Sequence, residues 1–168
     1  RPQLVVTCKN WPQRQEFLDC MVRALRDGTP GVSSWYPDSE NRFAKFQQEH
    51  TNSTVIEPES GKHGKQSRVL WIPDVSETDY VCKNEAFCQV FAETALDTNH
   101  IASEFLPAAS EFCNNKLFGS LCATILVDDA TLKSHEQAVS QAITDLRYGS
   151  IAINGNAALV WTLAHLVW

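Results

Sequence analysis

The run CKNEAFCQVFAE, residues 82–93, sets two cysteines on either side of a glutamate and a phenylalanine. Three chemistries are open to it. A nucleophilic cysteine needs a lowered pKa, supplied by a helix N-terminus or a cationic neighbour. Around Cys88 the only local cation is Lys83, and Phe87, Val90 and Phe91 are apolar. Those flanks favour a buried thiol acting as a small hydrophobe. Cys82 and Cys88 lack the short pairing of a zinc site and have no histidine beside them, so no metal is expected. Glu85 offers a third possibility. A carboxylate can accept two hydrogen bonds from adjacent hydroxyls, such as those of a ribose. Phe87, two residues on, points to the same side if the segment is extended, where it could pack on a ring. The plainer alternative is a surface glutamate beside a core phenylalanine. The residues alone leave both open.

Elsewhere the chemistry-bearing side chains are scattered. The other cysteines are Cys8, Cys20, Cys113 and Cys122, several of them inside apolar runs. All six are expected to be reduced, in an intracellular compartment, cytoplasmic or organellar. His50 and His63 flank a polar stretch and are expected to be solvated. His165 lies in the terminal apolar run AALVWTLAHLVW and is expected to be a core histidine. No histidine stands at motif spacing from a serine or cysteine partner, which leaves a hydrolase triad unsupported. The net charge of −6 argues against nucleic acid as a partner. The terminal run is 12 residues long, too short for a bilayer, which needs about 20. Because the chain opens almost inside a strand and closes on apolar residues, it is expected to be a piece of a larger protein.

The elements that must position these groups follow from periodicity. Residues 4–6 make a short buried strand. Residues 11–28 make a helix with Phe17, Leu18, Met21, Val22 and Leu25 on one face and Gly28 at its end. A second helix spans 39–50, with Ser39 as N-cap and Phe43 and Phe46 inward. Residues 51–66 turn polar, with Pro58, Gly61 and Gly64, and are expected to form a surface loop or insertion. Strands are expected at 68–72 and 90–94. Between them DVSETDY is expected to be loop. A helix follows at 101–115, kinked or restarted at Pro107. SLCATILV is the strongest strand by composition, expected to be buried on both faces. One continuous helix with a Val139, Ala142, Ile143 and Leu146 stripe is expected at 128–149, and then a strand, SIAIN. Strands alternating with helices predict an α/β domain, with a mainly parallel open sheet covered by helices on both faces.

Three segments in this order carry a resemblance. Glu85-Ala86-Phe87 is followed by Asn114-Asn115 with Leu117-Phe118-Gly119-Ser120-Leu121, and then by Gly149-Ser150-Ile151-Ala152-Ile153-Asn154. This series resembles the C-terminal part of the catalytic domain in the aldehyde dehydrogenase superfamily, in a divergent form truncated at both ends. It covers residues 78–154 well and extends more loosely back to the first strand and helix. Residues 32–66 have no obvious counterpart. The resemblance implies that residues 1–168 are one partial catalytic domain, completed by a cofactor-binding domain of the same protein. It implies an enzyme that oxidises a small-molecule aldehyde to the acid with NAD or NADP. A cysteine thiolate attacks the carbonyl, and a glutamate activates water to release the acid. Carried over, Glu85 binds the nicotinamide ribose hydroxyls and Phe87 packs near the nicotinamide, while Gly149 and Asn154 hold the turn and strand that buttress the site. The nucleophile is expected before Arg1, and the isolated chain is expected to be inactive. A homo-oligomer is expected of the full-length form, with no nucleic-acid or membrane partner. In place of the family's glycine and proline after Phe87 stand Cys88 and Gln89. A non-catalytic binding or regulatory protein on the same scaffold is the alternative, and a cysteine hydrolase using Cys88 a more distant one.

Overall fold

The computed structural model describes residues 3–27, 36–57 and 68–163. Along the chain these form β1 (Leu4–Cys8), α1 (Arg14–Asp27), α2 (Ser39–Glu49), β2 (Thr54–Ile56), β3 (Val69–Ile72), α3 (Tyr80–Lys83), β4 (Val90–Leu96), α4 (Ala102–Lys116), β5 (Cys122–Ile125), α5 (Asp129–Ser134), α6 (Glu136–Asp145) and β6 (Ser150–Ile153), followed by a 3-10 helix (Ala157–Thr162). Gly28, residues 58–66 of the expected loop, His63, and the end of the chain with His165 lie outside the described residues.

Four strands form one sheet in the order β1-β4-β3-β2. β1 and β3 both run parallel to β4, and β2 closes the edge antiparallel to β3. β3 is central and its four residues, Val-Leu-Trp-Ile, are all buried. Alternation then sorts them to two faces. Val69 and Trp71 join Ile56, Phe91 and the α1 stripe of Phe17, Leu18, Met21, Val22 and Leu25. Leu70 and Ile72 pack with Val90, Ala92, Phe43 and Phe46 of α2, and Val81 and Cys82 of α3. The α/β class with a mostly parallel sheet and helices on both faces therefore stands. The strands divide between two sheets, because β5 and β6 pair with each other in parallel and not with the first four.

Several local expectations change. Residues 54–56, expected as part of a polar loop, form the edge strand β2, whose Ile56 is buried against α1. The N-cap of α2 is Asp38, in the left-handed region at φ 64, and Ser39 is already helical. His50, expected to be solvated, is buried where α2 ends, and its Nε2 accepts a 3.2 Å hydrogen bond from the Val81 backbone N–H. α4 carries Pro107 inside a single helix. The expected long helix at 128–149 is two, because the backbone breaks at His135. Asp128 caps the first, accepting from the N–H groups of Ala130 and Thr131. Along α6 Val139 and Ala142 are buried but Ile143 is 37% exposed. β5 is half-buried rather than covered on both faces, with Leu121 and Leu126 at its ends 56% and 64% exposed. Among the described residues β6 is the one strand paired with β5.

Candidate functional site

The site residues stand on two turns that meet. The first, residues 84–89, links α3 to β4. It is bent rather than extended, and Phe87 adopts φ 48, a left-handed conformation rarely taken by a large side chain. Alternation along an extended segment is therefore not what places Glu85 and Phe87 together. The fold does so, since both line one cleft of about 630 Å³. Cys88 and Gln89 carry the chain into the sheet. Gln89 is buried, and its carbonyl accepts from the Leu70 N–H at 2.8 Å.

The second turn is residues 117–121, after α4. Leu117 packs on the core, the Phe118 N–H donates to Cys82 O at 2.8 Å, and Gly119 stands at φ +96. A side chain at Gly119 would be strained there, and its Cβ would lie 3.8 Å from Glu85 Oε1. The bare backbone at Gly119 thus forms a wall of the Glu85 position.

Gly149 and Asn154 bracket β6. The Gly149 N–H donates to Ser120 O at 2.9 Å, and a Cβ on Gly149 would meet Leu121 O at 3.0 Å. Gly149 therefore fixes the turn that carries Gly119. Asn154, at φ 51, holds Val127 at two points: its Nδ2 donates to Val127 O at 2.6 Å and its Oδ1 accepts from Val127 N–H at 2.8 Å. Asn114, named in the second segment, clamps the end of α6 to α4. It donates to Asp145 O and accepts from Arg147 N–H, each at 2.8 Å.

Cations that sequence reading did not single out share the cleft. Arg42 and Lys45 of α2 line it with Lys83, Asn41, Tyr80 and Phe118. The Arg42 guanidinium lies 5.5 Å over the Phe87 ring, which also meets Tyr36 at 5.3 Å between centroids. Arg42 stands one position before Phe43 of the apolar stripe, but nothing in its spacing tells which groups α2 faces across the fold.

The thiols of the opening run point elsewhere. Burial pushes Cys88 up to about 11, outweighing the lowering by Arg42, and pushes Cys82 up to about 11 as well. At neutral pH neither holds an appreciable thiolate, which removes the basis for a hydrolase built on Cys88. All six cysteines are unpaired. Among the described residues no group of three histidine, cysteine or carboxylate side chains is placed to hold a metal ion.

One further cluster escaped the sequence reading. Glu93, within β4, is 0% exposed. Arg14 grips both its oxygens, with Nε to Oε1 at 3.0 Å and Nη2 to Oε2 at 2.7 Å, and bonds Asp74 at 2.7 Å. The Thr7 hydroxyl donates to Glu93 Oε1. The signal was a glutamate inside an apolar strand, and its partner is 79 residues away.

No family model and no curated protein matches the sequence. The fold, in contrast, is similar to solved aldehyde dehydrogenases. Against betaine aldehyde dehydrogenase from Staphylococcus aureus the TM-score is 0.66 at 12% identity, covering 90% of this chain and 30% of that one. Against aldehyde dehydrogenase C from Pseudomonas syringae, solved with NAD+ and octanal, it is 0.62 at 16% identity, covering 92% and 32%. Against lactaldehyde dehydrogenase from Escherichia coli it is 0.63 at 17%, covering 92% and 33%. The chain thus has the fold of part of an aldehyde dehydrogenase and spans about a third of the length of these proteins.

Proposed function

We propose, starting from that shared fold, that the chain is part of the catalytic domain of an NAD(P)-dependent aldehyde dehydrogenase-like oxidoreductase, with Glu85 and Phe87 on its cofactor-facing edge. The observation that carries the reading is the convergence of Glu85, Phe87 and the Gly119 turn on one cleft within this fold. The cleft suits one end of a dinucleotide. It sets the carboxylates of Glu85 and Asp38 and the rings of Phe46, Tyr80, Phe87 and Phe118 beside Arg42, Lys45 and Lys83, in a chain whose net charge is −6. Lys45 is paired with Glu49, so Arg42 and Lys83 are the cations left to meet a ligand that carries phosphates.

When bound, NAD(P)+ supplies the acceptor for a hydride from the aldehyde carbon. The chain's own residues do the holding. The Glu85 carboxylate accepts hydrogen bonds from two adjacent ribose hydroxyls. Phe87 limits where the neighbouring ring can lie. Gly149, through Ser120, keeps the Gly119 wall in place, and Asn154 keeps the far ends of β5 and β6 in register. Cys82, Cys88 and Cys113 are each pushed up to about 11 by burial. None of these three is poised as a thiolate nucleophile, and on this reading the chain alone does not turn over aldehyde. Completion requires a nucleophile, a water-activating base and a cofactor-binding domain from outside these residues.

Titration of the chain with NAD+ and with NADP+ tests the reading. Glu85→Gln removes a charged acceptor worth about 1.5–3 kcal/mol, so at least about tenfold weaker binding is expected. Equal affinity of the two proteins would sink the assignment. The non-catalytic alternative rests on Cys88 and Gln89 standing where the resemblance has a glycine and a proline. It predicts that a complete protein containing this chain binds its ligand without oxidising any aldehyde.

A further inference from the structure

The turn carrying Glu85 and Phe87 is short, bent and strained, yet its conformation decides where the carboxylate stands. Asn84 Nδ2 donates back to Tyr80 O of α3 at 3.0 Å and Gln89 O accepts from Leu70 N–H at 2.8 Å, but the backbone between these ends belongs to neither element. α3 ends at Lys83, and the ladder to β3 begins only at Val90. Among the described residues the side chain that spans the gap is Gln3, at the entry to β1. Its Nε2 donates to Val81 O at 2.8 Å and to Asn84 O at 2.7 Å. Its Oε1 accepts from the Ala86 N–H at 2.9 Å. The bonds to Asn84 and Ala86 fall on either side of Glu85, and the bond to Val81 anchors them to α3. Gln3 is itself held, because its own carbonyl accepts from Ala92 N–H at 2.9 Å at the start of the β1–β4 ladder.

We propose that Gln3 is the positioning residue of the Glu85–Phe87 turn: one side-chain amide, anchored to the sheet, sets the backbone on both sides of Glu85 and so aims its carboxylate into the cleft. The chemistry demands an amide there. Two carbonyls and one N–H must be met by two donors and one acceptor on a single planar group, and glutamine supplies them at this reach. A glutamate of the same shape keeps the acceptor for Ala86 but turns its other oxygen on two carbonyls. A leucine meets none of the three. The inference rests on the cofactor-edge reading of Glu85, and its test separates the two.

The experiment compares the whole chain with Gln3→Leu and Gln3→Glu, using NAD+ as the calorimetric probe and amide exchange followed by NMR. If the wild type binds NAD+, both variants are expected to bind at least about tenfold more weakly at neutral pH. The Gln3→Glu variant should then regain affinity relative to wild type as pH is lowered from about 7 toward about 5, because a carboxylate turned on two carbonyls protonates above the ordinary range and can then donate to one of them. A purely structural role gives no such recovery. Variants that bind within twofold of wild type, or a Gln3→Glu protein whose deficit does not change with pH, overturn the proposal. If the wild type does not bind NAD+, the cofactor reading of Glu85 fails and the exchange arm decides on Gln3 alone. Exchange of the Ala86 amide should quicken at least about tenfold in Gln3→Leu while the β3–β4 ladder amides keep their rates. Unchanged exchange at Ala86 overturns it.

Discussion

Glu93 and His50 show how single buried polar groups carry stability here. Glu93 is wholly buried, and its charge is met by the Arg14 guanidinium and the Thr7 hydroxyl. Removing one partner of such a pair leaves the other charge buried and unmatched, which costs about 3–5 kcal/mol. Arg14→Met should lower stability by that amount in urea unfolding. The double variant Arg14→Met with Glu93→Leu should recover much of it. His50 acts through pH. Burial lowers its pKa from 6.5, with Asp79 and Glu49 opposing. The folded state therefore favours the neutral ring, whose Nε2 accepts from Val81 N–H. The stability from this group is present above the ordinary value of 6.5 and is lost as pH falls from there through the lower folded value. The melting temperature should drop across that window, and the drop should shrink in His50→Gln, which keeps an acceptor but does not titrate there.

At the scale of elements, β6 and the turns around it hold the architecture that faces Glu85. A Cβ on Gly149 would be tight, because Leu121 O would lie 3.0 Å from it. Backbone cannot give way as a side-chain tip can, so Gly149→Ala should cost about 1–3 kcal/mol and shift the Ser120–Gly119 backbone. Asn154 offers a separable case. Its two bonds to Val127 contribute about 0.5–1.5 kcal/mol each, while its φ of 51 adds strain for most replacements. Asn154→Gly keeps the conformation and loses only the bonds, so it should be destabilised less than Asn154→Ala by denaturant unfolding. Much of this was legible in the residues. The apolar stripes of α1 and α2 were, because helical spacing reports a buried face directly. The break at His135 was not: the stripe from Val139 to Leu146 lies wholly beyond it, and no glycine or proline marks the boundary.

For the whole molecule, the expected outcome is binding without turnover. NADH formation from aldehyde and NAD+ by this chain alone should not exceed the buffer rate. Cys88 should be alkylated no faster than a free thiol at neutral pH, since burial holds it near 11. Faster alkylation would show that the buried environment is not the one seen here. By itself the sequence determined the α/β class, the alternation of elements and the three ordered segments that resemble aldehyde dehydrogenases. Periodicity and local motif chemistry are properties of neighbouring residues, and they survive without a structure. Only the tertiary structure decided which residues share a cleft. Glu85 meets the Gly119 turn 34 positions along the chain, with Arg42 from α2 and Phe118 lining the same space. Gln3 reaches the Ala86 amide across 83 positions. The same holds for Glu93, whose burial is tolerable only because Arg14 arrives from another element. Such pairings depend on how helices and strands pack at long range, and no local spacing encodes that distance.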